Sequence, residues 1–369
     1  MRKDELATPT ILLNIDALEK NIKKYQQLCT ENKKELWPMI KTHKSTELVK
    51  MQLQEGARGI LCGTLEEAEA CSNIGVKQIM YAYPVASEEN IKRILKLTKE
   101  TDFIIRLDCL EAALKINMLA EKENIIVSYT IIVDSGLHRF GVAVEEVVAF
   151  ANCLKGLKNL KLRGISSHPG HVYSSTCEAD IQQYVMDECE TLRKAKELLE
   201  KEGYSLEYIT SGSTPTFLEA VRDSDINVYH PGNYVFLDSI QLSINRAKVE
   251  DCALTVLATI ISRPQEDLFI CDAGAKCLGL DQGAHGNHSI VGHGTVIGHS
   301  EIVVESLSEE VGKLKVKGKT NLKIGDKIEI IPNHSCSTAN LCSYYTVVKG
   351  EEVIKSMKVD IRGNSKQRI

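Results

Sequence analysis

The chain has 369 residues, 26% of them charged and 43% hydrophobic, with a formal net charge of −5. Those are ordinary globular proportions, and the length allows one large domain plus a smaller one. The negative balance argues against a nucleic-acid partner, and no apolar window approaches the ~20 residues of a spanning helix, so no membrane partner is expected.

The amino terminus, Met1 to Leu6, is charged and lacks the apolar core of a signal peptide, which makes a cytoplasmic location the expectation. Twelve cysteines are scattered without a CxxC pair. They read as reduced thiols, most of them small core residues, with Cys62, Cys109 and Cys271 as examples. A polar stretch over 1–8 ends at Thr8-Pro9, and a short apolar run follows over 10–13. Asp16 is the expected cap of a helix whose apolar face is Leu18, Ile22, Tyr25 and Leu28. From Leu36 the pattern becomes regular. Strands are expected over 36–40, 59–62, 77–81, 102–107, 125–133, 161–167, 206–210 and 226–230. Helical patterns begin between them near Thr46, Thr64, Ser87, Leu110, Val144, Glu178 and Pro215. This alternation predicts an α/β fold, a (β/α)₈ TIM barrel over 9–240. After about Gln241 the texture changes to short β-type runs over 252–261, 268–271, 294–297, 313–316, 327–331, 344–349 and 353–361. Turn residues separate them, so 241–369 reads as a smaller all-β domain, joined by residues 1–8. The stretch from Gly283 to His288 reads as a surface loop.

A barrel delivers the residues after each strand to one catalytic face. The first strand leads into Trp37-Pro-Met-Ile-Lys-Thr-His-Lys-Ser45, and Lys41 follows the apolar run directly. A partly desolvated amine there has the lowered pKa that a Schiff-base lysine needs. The fifth strand gives Val133-Asp-Ser-Gly-Leu-His-Arg139, whose arginine suits a phenolate or carboxylate. The sixth gives Ser167-His-Pro-Gly-His-Val-Tyr173, with His168, His171 and Tyr173 as candidates. The seventh gives Thr210-Ser-Gly-Ser-Thr-Pro-Thr216, where Gly212, Ser213 and Thr214 offer N–H groups and hydroxyls to a phosphate. The eighth adds a second glycine turn with Gly232, Asn233 and Tyr234. Each group alone has a plain structural reading, as an ion-pair arginine, a loop histidine or a helix cap. A lysine and a phosphate cup at one barrel mouth together suggest pyridoxal 5'-phosphate. In the β domain, Pro332-Asn-His-Ser-Cys336 sets His334 and Cys336 two apart. Extended chain points such residues the same way, so imidazole and thiolate can share a divalent metal. Two protein ligands are one fewer than catalytic zinc sites use, so a third ligand, water or substrate must complete the set.

These motifs, in this order, resemble the D-threonine aldolase and D-serine dehydratase family of fold-type III, alanine racemase-like pyridoxal-phosphate enzymes. The resemblance runs from Thr8-Pro-Thr10 through Ile40-Lys-Thr-His-Lys-Ser45 and the four later strand ends to Asp272-Ala-Gly-Ala-Lys276 and Pro332-Asn-His-Ser-Cys336. It implies that Lys41 is the Schiff-base lysine, with His171 as a further catalytic residue. It implies Arg139 near the cofactor's ring oxygen, His168 and Tyr173 beside the cofactor, and phosphate held by the two glycine turns. It further implies a metal on His334 and Cys336 (zinc, with manganese as the alternative) and a homodimer. The chain departs from the family pattern twice. Trp37-Pro-Met39 stands where Arg-Pro-His is usual, and Ser308-Glu-Glu-Val-Gly312 lacks the usual histidine. The leading expectation is a lyase cleaving D-3-hydroxy-α-amino acids to glycine and an aldehyde, with D-serine dehydratase as the alternative. A metal-free amino-acid racemase needs a second base facing Lys41, and no obvious tyrosine supplies one. A non-catalytic cofactor-binding protein of the single-barrel type lacks the β domain.

Overall fold

The computed structural model describes residues 1–283 and 290–362. From residue 284 onward, the loop expected over 283–288 therefore lies outside the described residues. The first strand, β1 (Thr10–Asn14), is followed by α1 (Ile15–Glu31). The expected cap Asp16 is replaced by Asn14, whose side chain accepts from the N–H groups of Asp16 and Ala17. Asp16 instead supplies negative charge to the first helical turn.

Eight parallel strands then form one sheet: β2 (Glu35–Leu36), β3 (Ile60–Cys62), β4 (Gln78–Tyr81), β5 (Asp102–Leu107), β6 (Val127–Ile132), β7 (Leu160–Ser166), β8 (Tyr208–Ser211) and β9 (Val228–Tyr229). Their order is β2-β9-β8-β7-β6-β5-β4-β3, and a parallel bridge between Met39 and Leu61 joins the two ends into a barrel. Helices α2 (Thr46–Glu55), α3 (Leu65–Asn73), α4 (Glu88–Glu100), α5 (Leu110–Lys122), α6 (Val147–Leu154), α7 (Glu178–Lys201) and α8 (Thr214–Ala220) alternate with them. Strands such as β5 are buried almost throughout because helices cover the outside and side chains fill the inside. The filling is a distinct cluster that includes Trp37, Met39, Leu61, Met80, Ile104 and Tyr208. A Cβ on Gly59 would lie 2.6 Å from the Trp37 ring, so only glycine leaves room for the indole at that point.

The expected first strand over 36–40 is shorter than its apolar run. Its ladder ends at Leu36, and Pro38, lacking an N–H, interrupts continuation. The chain stays extended, with Trp37 N–H donating to Tyr229 and Met39 N–H to Pro231, and then enters a 3-10 turn over Ile40–Thr42. Lys41 thus sits on a turn after the strand.

After α9 (Ser239–Ser243) the second part is a nine-stranded sheet. It contains β10 (Leu254–Gln265), β11 (Leu268–Cys271), β12 (Thr295–Val296), β13 (Ile302–Leu307), β14 (Gly312–Val316), β15 (Lys327–Ile331), β16 (Tyr344–Lys349) and β17 (Glu352–Lys358). The short helices α10 (Ala275–Leu278) and α11 (Ser335–Leu341) interrupt it. The order is β11-β14-β13-β12-β15-β10-β1-β16-β17. Strand β13 was not expected from the sequence. Strand β1 lies between β10 and β16, so the amino-terminal contribution to this part extends past residue 8 to Asn14. The Thr8 hydroxyl donates to the Asp272 carboxylate at 2.5 Å, which ties two of the sequence motifs together inside the β domain. Among the described residues no helix is long and apolar enough to cross a membrane.

Candidate active site

A cavity opens at the ends of the barrel strands, with residues of α11 forming part of its wall. Lys41 reaches it from the Ile40–Thr42 turn, and its Nζ donates to the Tyr83 hydroxyl at 3.2 Å. The alkyl arm of Lys41 lies on Gly63, where an added Cβ would be 3.2 Å from Lys41 Cβ. The Gly63 N–H donates to Glu67 Oε2 at 2.6 Å, and Glu67 Oε1 pairs with Lys44 Nζ at 2.5 Å. Lys44 and Glu67 are both buried, so an ion pair lies beneath the lysine turn.

Beyond β6 the Asp134 carboxylate accepts from the N–H groups of Gly136 and His138, and its other oxygen lies 2.7 Å from His138 Nδ1. Burial pushes the Asp134 carboxyl up, but these donors outweigh it and hold the pKa below the usual value. The fixed turn presents Arg139 and Phe140 at the cavity rim, with the guanidinium 5.9 Å from the centre of the Tyr83 ring. From β7 come His168, whose Nδ1–H donates to the Gly212 carbonyl at 2.9 Å, and Tyr173. Gly212, Ser213 and Thr214 line the cavity where β8 turns into α8, and Gly232 and Asn233 line it after β9. The N–H groups of Gly212, Ser213 and Gly232 have no backbone acceptor among the described residues. The Asn233 amide is already engaged. It donates to Asp238 at 2.6 Å and to the Ser335 hydroxyl at 2.9 Å, tying the barrel to α11.

Two expected site residues lie elsewhere. Tyr234 is fully buried in the core, its ring 4.5 Å from that of Tyr25, and its hydroxyl accepts from Gln52. The Asn233–Val235 turn carries that side chain inward, and its N–H goes to Thr214 Oγ1 rather than to the cavity. His171 does not line the cavity. The Gly170–Ser174 turn swings its ring against Tyr184 of α7, in a neighbouring cleft that also borders Asp134 and Asp187. Burial lowers its pKa.

His334 and Cys336 both line the cavity, but not on extended chain. His334 is the N-cap of α11 and Cys336 lies in its first turn. The two side chains are hydrogen-bonded to each other. Burial opposes charge on both, yet their mutual attraction prevails, raising the histidine to about 9 and lowering the cysteine. The pair is thereby biased toward the charged forms, and Cys336 Sγ lies 3.2 Å from Thr42 Oγ1, next to Lys41. Asp281 approaches His334 Nδ1 at 3.9 Å. Among the described residues no third histidine, cysteine or carboxylate completes a metal cluster.

Tyr83 and Arg106 are polar cavity residues that were not read from the sequence, and His230, which opens the eighth strand-end motif, was given no role there. Tyr83 lies two residues beyond β4, at a strand end like the others. Arg106 is a charge inside the otherwise apolar Phe103-Ile-Ile-Arg-Leu107, and it carries no carboxylate partner among the described residues. Burial lowers its pKa to about 10. His230 donates from Nδ1 to the Trp37 carbonyl at 2.8 Å, which leaves Nε2 as a buried acceptor without a partner. Burial, then the nearby Arg106 charge, keeps this imidazole neutral.

The fold and this cavity define a class. The model for the alanine racemase N-terminal domain matches residues 13–239, and that for a putative serine dehydratase domain matches 253–348. The chain belongs to this alanine racemase-like family, whose enzymes depend on pyridoxal phosphate. It is 29% identical to D-serine dehydratase of Dictyostelium discoideum, over 96% of this chain and 97% of that one. It is 26% identical to 3-hydroxy-D-aspartate aldolase of Paracoccus denitrificans, over 98% and 94%. Among solved structures, D-threo-3-hydroxyaspartate dehydratase from Delftia sp. HT23 superposes with a TM-score of 0.91 at 26% identity, covering 98% and 99%. Solved variants of that dehydratase replace a histidine and a cysteine two positions apart by alanine, the cysteine variant being in a metal-free form.

The residues present fit the family's cofactor. Lys41 would offer an amine to its carbonyl, and the Gly212–Thr214 and Gly232 turns would offer donors to its phosphate. Arg106 Nε and His230 Nε2 are buried polar atoms without partners in the wall that a polar ring would cover.

Proposed function

We propose that this protein is a pyridoxal-phosphate- and metal-dependent lyase that removes water from D-3-hydroxy-α-amino acids, giving a 2-oxo acid and ammonia. The observation that carries the reading is one cavity lined by the Lys41 amine and by the His334–Cys336 pair, joined through Thr42. When bound, the cofactor supplies an electron sink that makes the substrate's Cα–H acidic. Lys41 then takes the Cα proton as general base. His334 and Cys336 are the residues that would hold a divalent ion, and a soft thiolate beside imidazole favours zinc. Such an ion would supply Lewis acidity for the departing β-hydroxyl. Release of the enamine and its hydrolysis complete the balance.

Elimination is preferred here to the retro-aldol cleavage that the sequence first suggested. Cleavage uses a base at the β-hydroxyl, and His171, the extra catalytic candidate, lies outside the cavity. Elimination needs a base at Cα, and Lys41 lines the cavity. The histidine and cysteine replaced in the solved dehydratase have the spacing of His334 and Cys336. The test is product analysis with D-serine and D-threonine. Equal amounts of 2-oxo acid and ammonia are expected, and a chelator should stop turnover while leaving the cofactor bound. Glycine plus an aldehyde as the main products would put retro-aldol cleavage ahead.

A further inference from the structure

We infer that Tyr83 is the partner of Lys41 in proton handling: its hydroxyl holds the lysine amine on one side of the cavity and accepts the hydrogen bond of the ammonium that forms when Lys41 takes the Cα proton. The inference rests on the reading of Lys41 as base. Lys41 Nζ donates to Tyr83 OH at 3.2 Å, the hydrogen bond that the lysine amine makes within the cavity. The tyrosine is itself held. Its ring meets Tyr81 edge-on at 6.5 Å and Phe140 at 5.9 Å, and Arg139 lies 5.9 Å from its centre. The alkyl arm of Lys41 packs against Gly63. A lysine whose alkyl arm lies on Gly63 and whose amine is held by the phenol has less freedom to miss its target, which is the value of positioning in catalysis.

The other polar groups of the cavity are committed elsewhere. His168 donates to Gly212, His230 donates to Trp37, and Tyr173 is hydrogen-bonded to Thr214. Cys336 is paired with His334. The charged groups around the Lys41–Tyr83 contact are Arg139 beyond β6, Arg106 on β5, and Glu67 on α3, the last neutralised by Lys44. No bond to Tyr83 breaks in the step. The Cα proton moves to Lys41 Nζ, and the phenol oxygen accepts one of the resulting N–H bonds.

The arrangement also bears on racemisation, which needs acids and bases on opposite faces of the substrate carbanion. Tyr83 is a tyrosine such a reading lacked, and it lies within hydrogen-bond reach of Lys41 Nζ rather than across the cavity from it.

Tyr83→Phe keeps the ring packing and removes only the hydroxyl. In the holoenzyme three readouts apply: the pH titration of the lysine-bound cofactor's absorbance, exchange of the substrate's α-hydrogen in D₂O, and the steady-state constants. Losing an acceptor for the N–H should lower the titration midpoint by about half a unit or more. It should slow exchange and kcat about tenfold or more, while KM stays within about twofold. A variant with the wild-type midpoint and exchange rate overturns the inference. Borohydride reduction of the wild type separates the two claims. Trapping of the cofactor on a residue other than Lys41 refutes the function proposed above, whereas trapping on Lys41 with an unaltered Tyr83→Phe variant refutes this inference alone.

Discussion

Glu188 shows how a single side chain can set a pH dependence. It is fully buried on α7, and among the described residues neither carboxyl oxygen has a hydrogen-bond partner of good geometry. Burial outweighs the lowering effect of the nearby Ser211 and Thr216 hydroxyls and, with a smaller push from the like charge of Asp223, raises its pKa from 4.5 to about 7. A carboxyl raised in the folded state is neutral there while the unfolded chain's is already ionised. Its effect on stability is absent below the unfolded pKa, grows as a penalty while pH rises through the interval, and is complete above the folded pKa. Glu188→Gln should therefore leave stability near pH 4.5 little changed and raise it above pH 7 by ~3 kcal/mol. Urea unfolding at the two pH values measures this, and an equal change at both would contradict it. At this scale the sequence was legible where a polar residue followed an apolar run: Lys41, Arg139, His168 and the two glycine turns all reach the cavity. His171 and Tyr234 were misplaced because short 3-10 turns, invisible in hydrophobic period, rotate them away. Tyr83 and Arg106 went unmarked because an aromatic and an isolated charge near strands have ordinary structural roles.

At the scale of elements, the turn carrying Lys41 is held by others rather than by its own strand. Lys44 adopts a left-handed φ of 52°, a cost for a residue with a side chain, and its ammonium is buried against Glu67. Through Gly63 that carboxylate also fixes the floor under Lys41. The β domain adds two ties, from the Tyr345 hydroxyl to the His43 carbonyl at 2.6 Å and from the Ile361 N–H to the Lys44 carbonyl at 3.0 Å. Removing one charge leaves the other stranded, so Glu67→Gln should cost ~3–5 kcal/mol. Glu67→Gln with Lys44→Met should recover more than half of that loss in thermal or urea unfolding. A double variant no more stable than Glu67→Gln would show that the pair does not act as a unit. Lys44 lies just ahead of α2, and the sequence gave no sign of its burial. Ion pairs between segments leave no periodic trace. The same limit applied to α11, where the Ser335–Leu341 helix replaced the expected extended chain, although His334 and Cys336 still share one wall.

The whole molecule is a barrel whose mouth is finished by a second sheet. The alternation of apolar runs and helical patterns made the barrel readable, and the loss of helical pattern after residue 241 marked the β-rich part. Neither pattern shows that β1 joins the distant sheet or that Asn233 and Asp238 bind Ser335, because those pairings depend on three-dimensional closure. Chemistry requires that closure, since the lysine comes from the barrel and the His334–Cys336 pair from the β domain. The central claim is that Lys41 carries the cofactor in this shared cavity. Borohydride reduction of the yellow holoenzyme, followed by peptide mapping, tests it most directly. The predicted result is a stable pyridoxyl group on Lys41, lost in Lys41→Ala. A pyridoxyl group on Lys44 or any other lysine in the wild type, or undiminished trapping in Lys41→Ala, would contradict it.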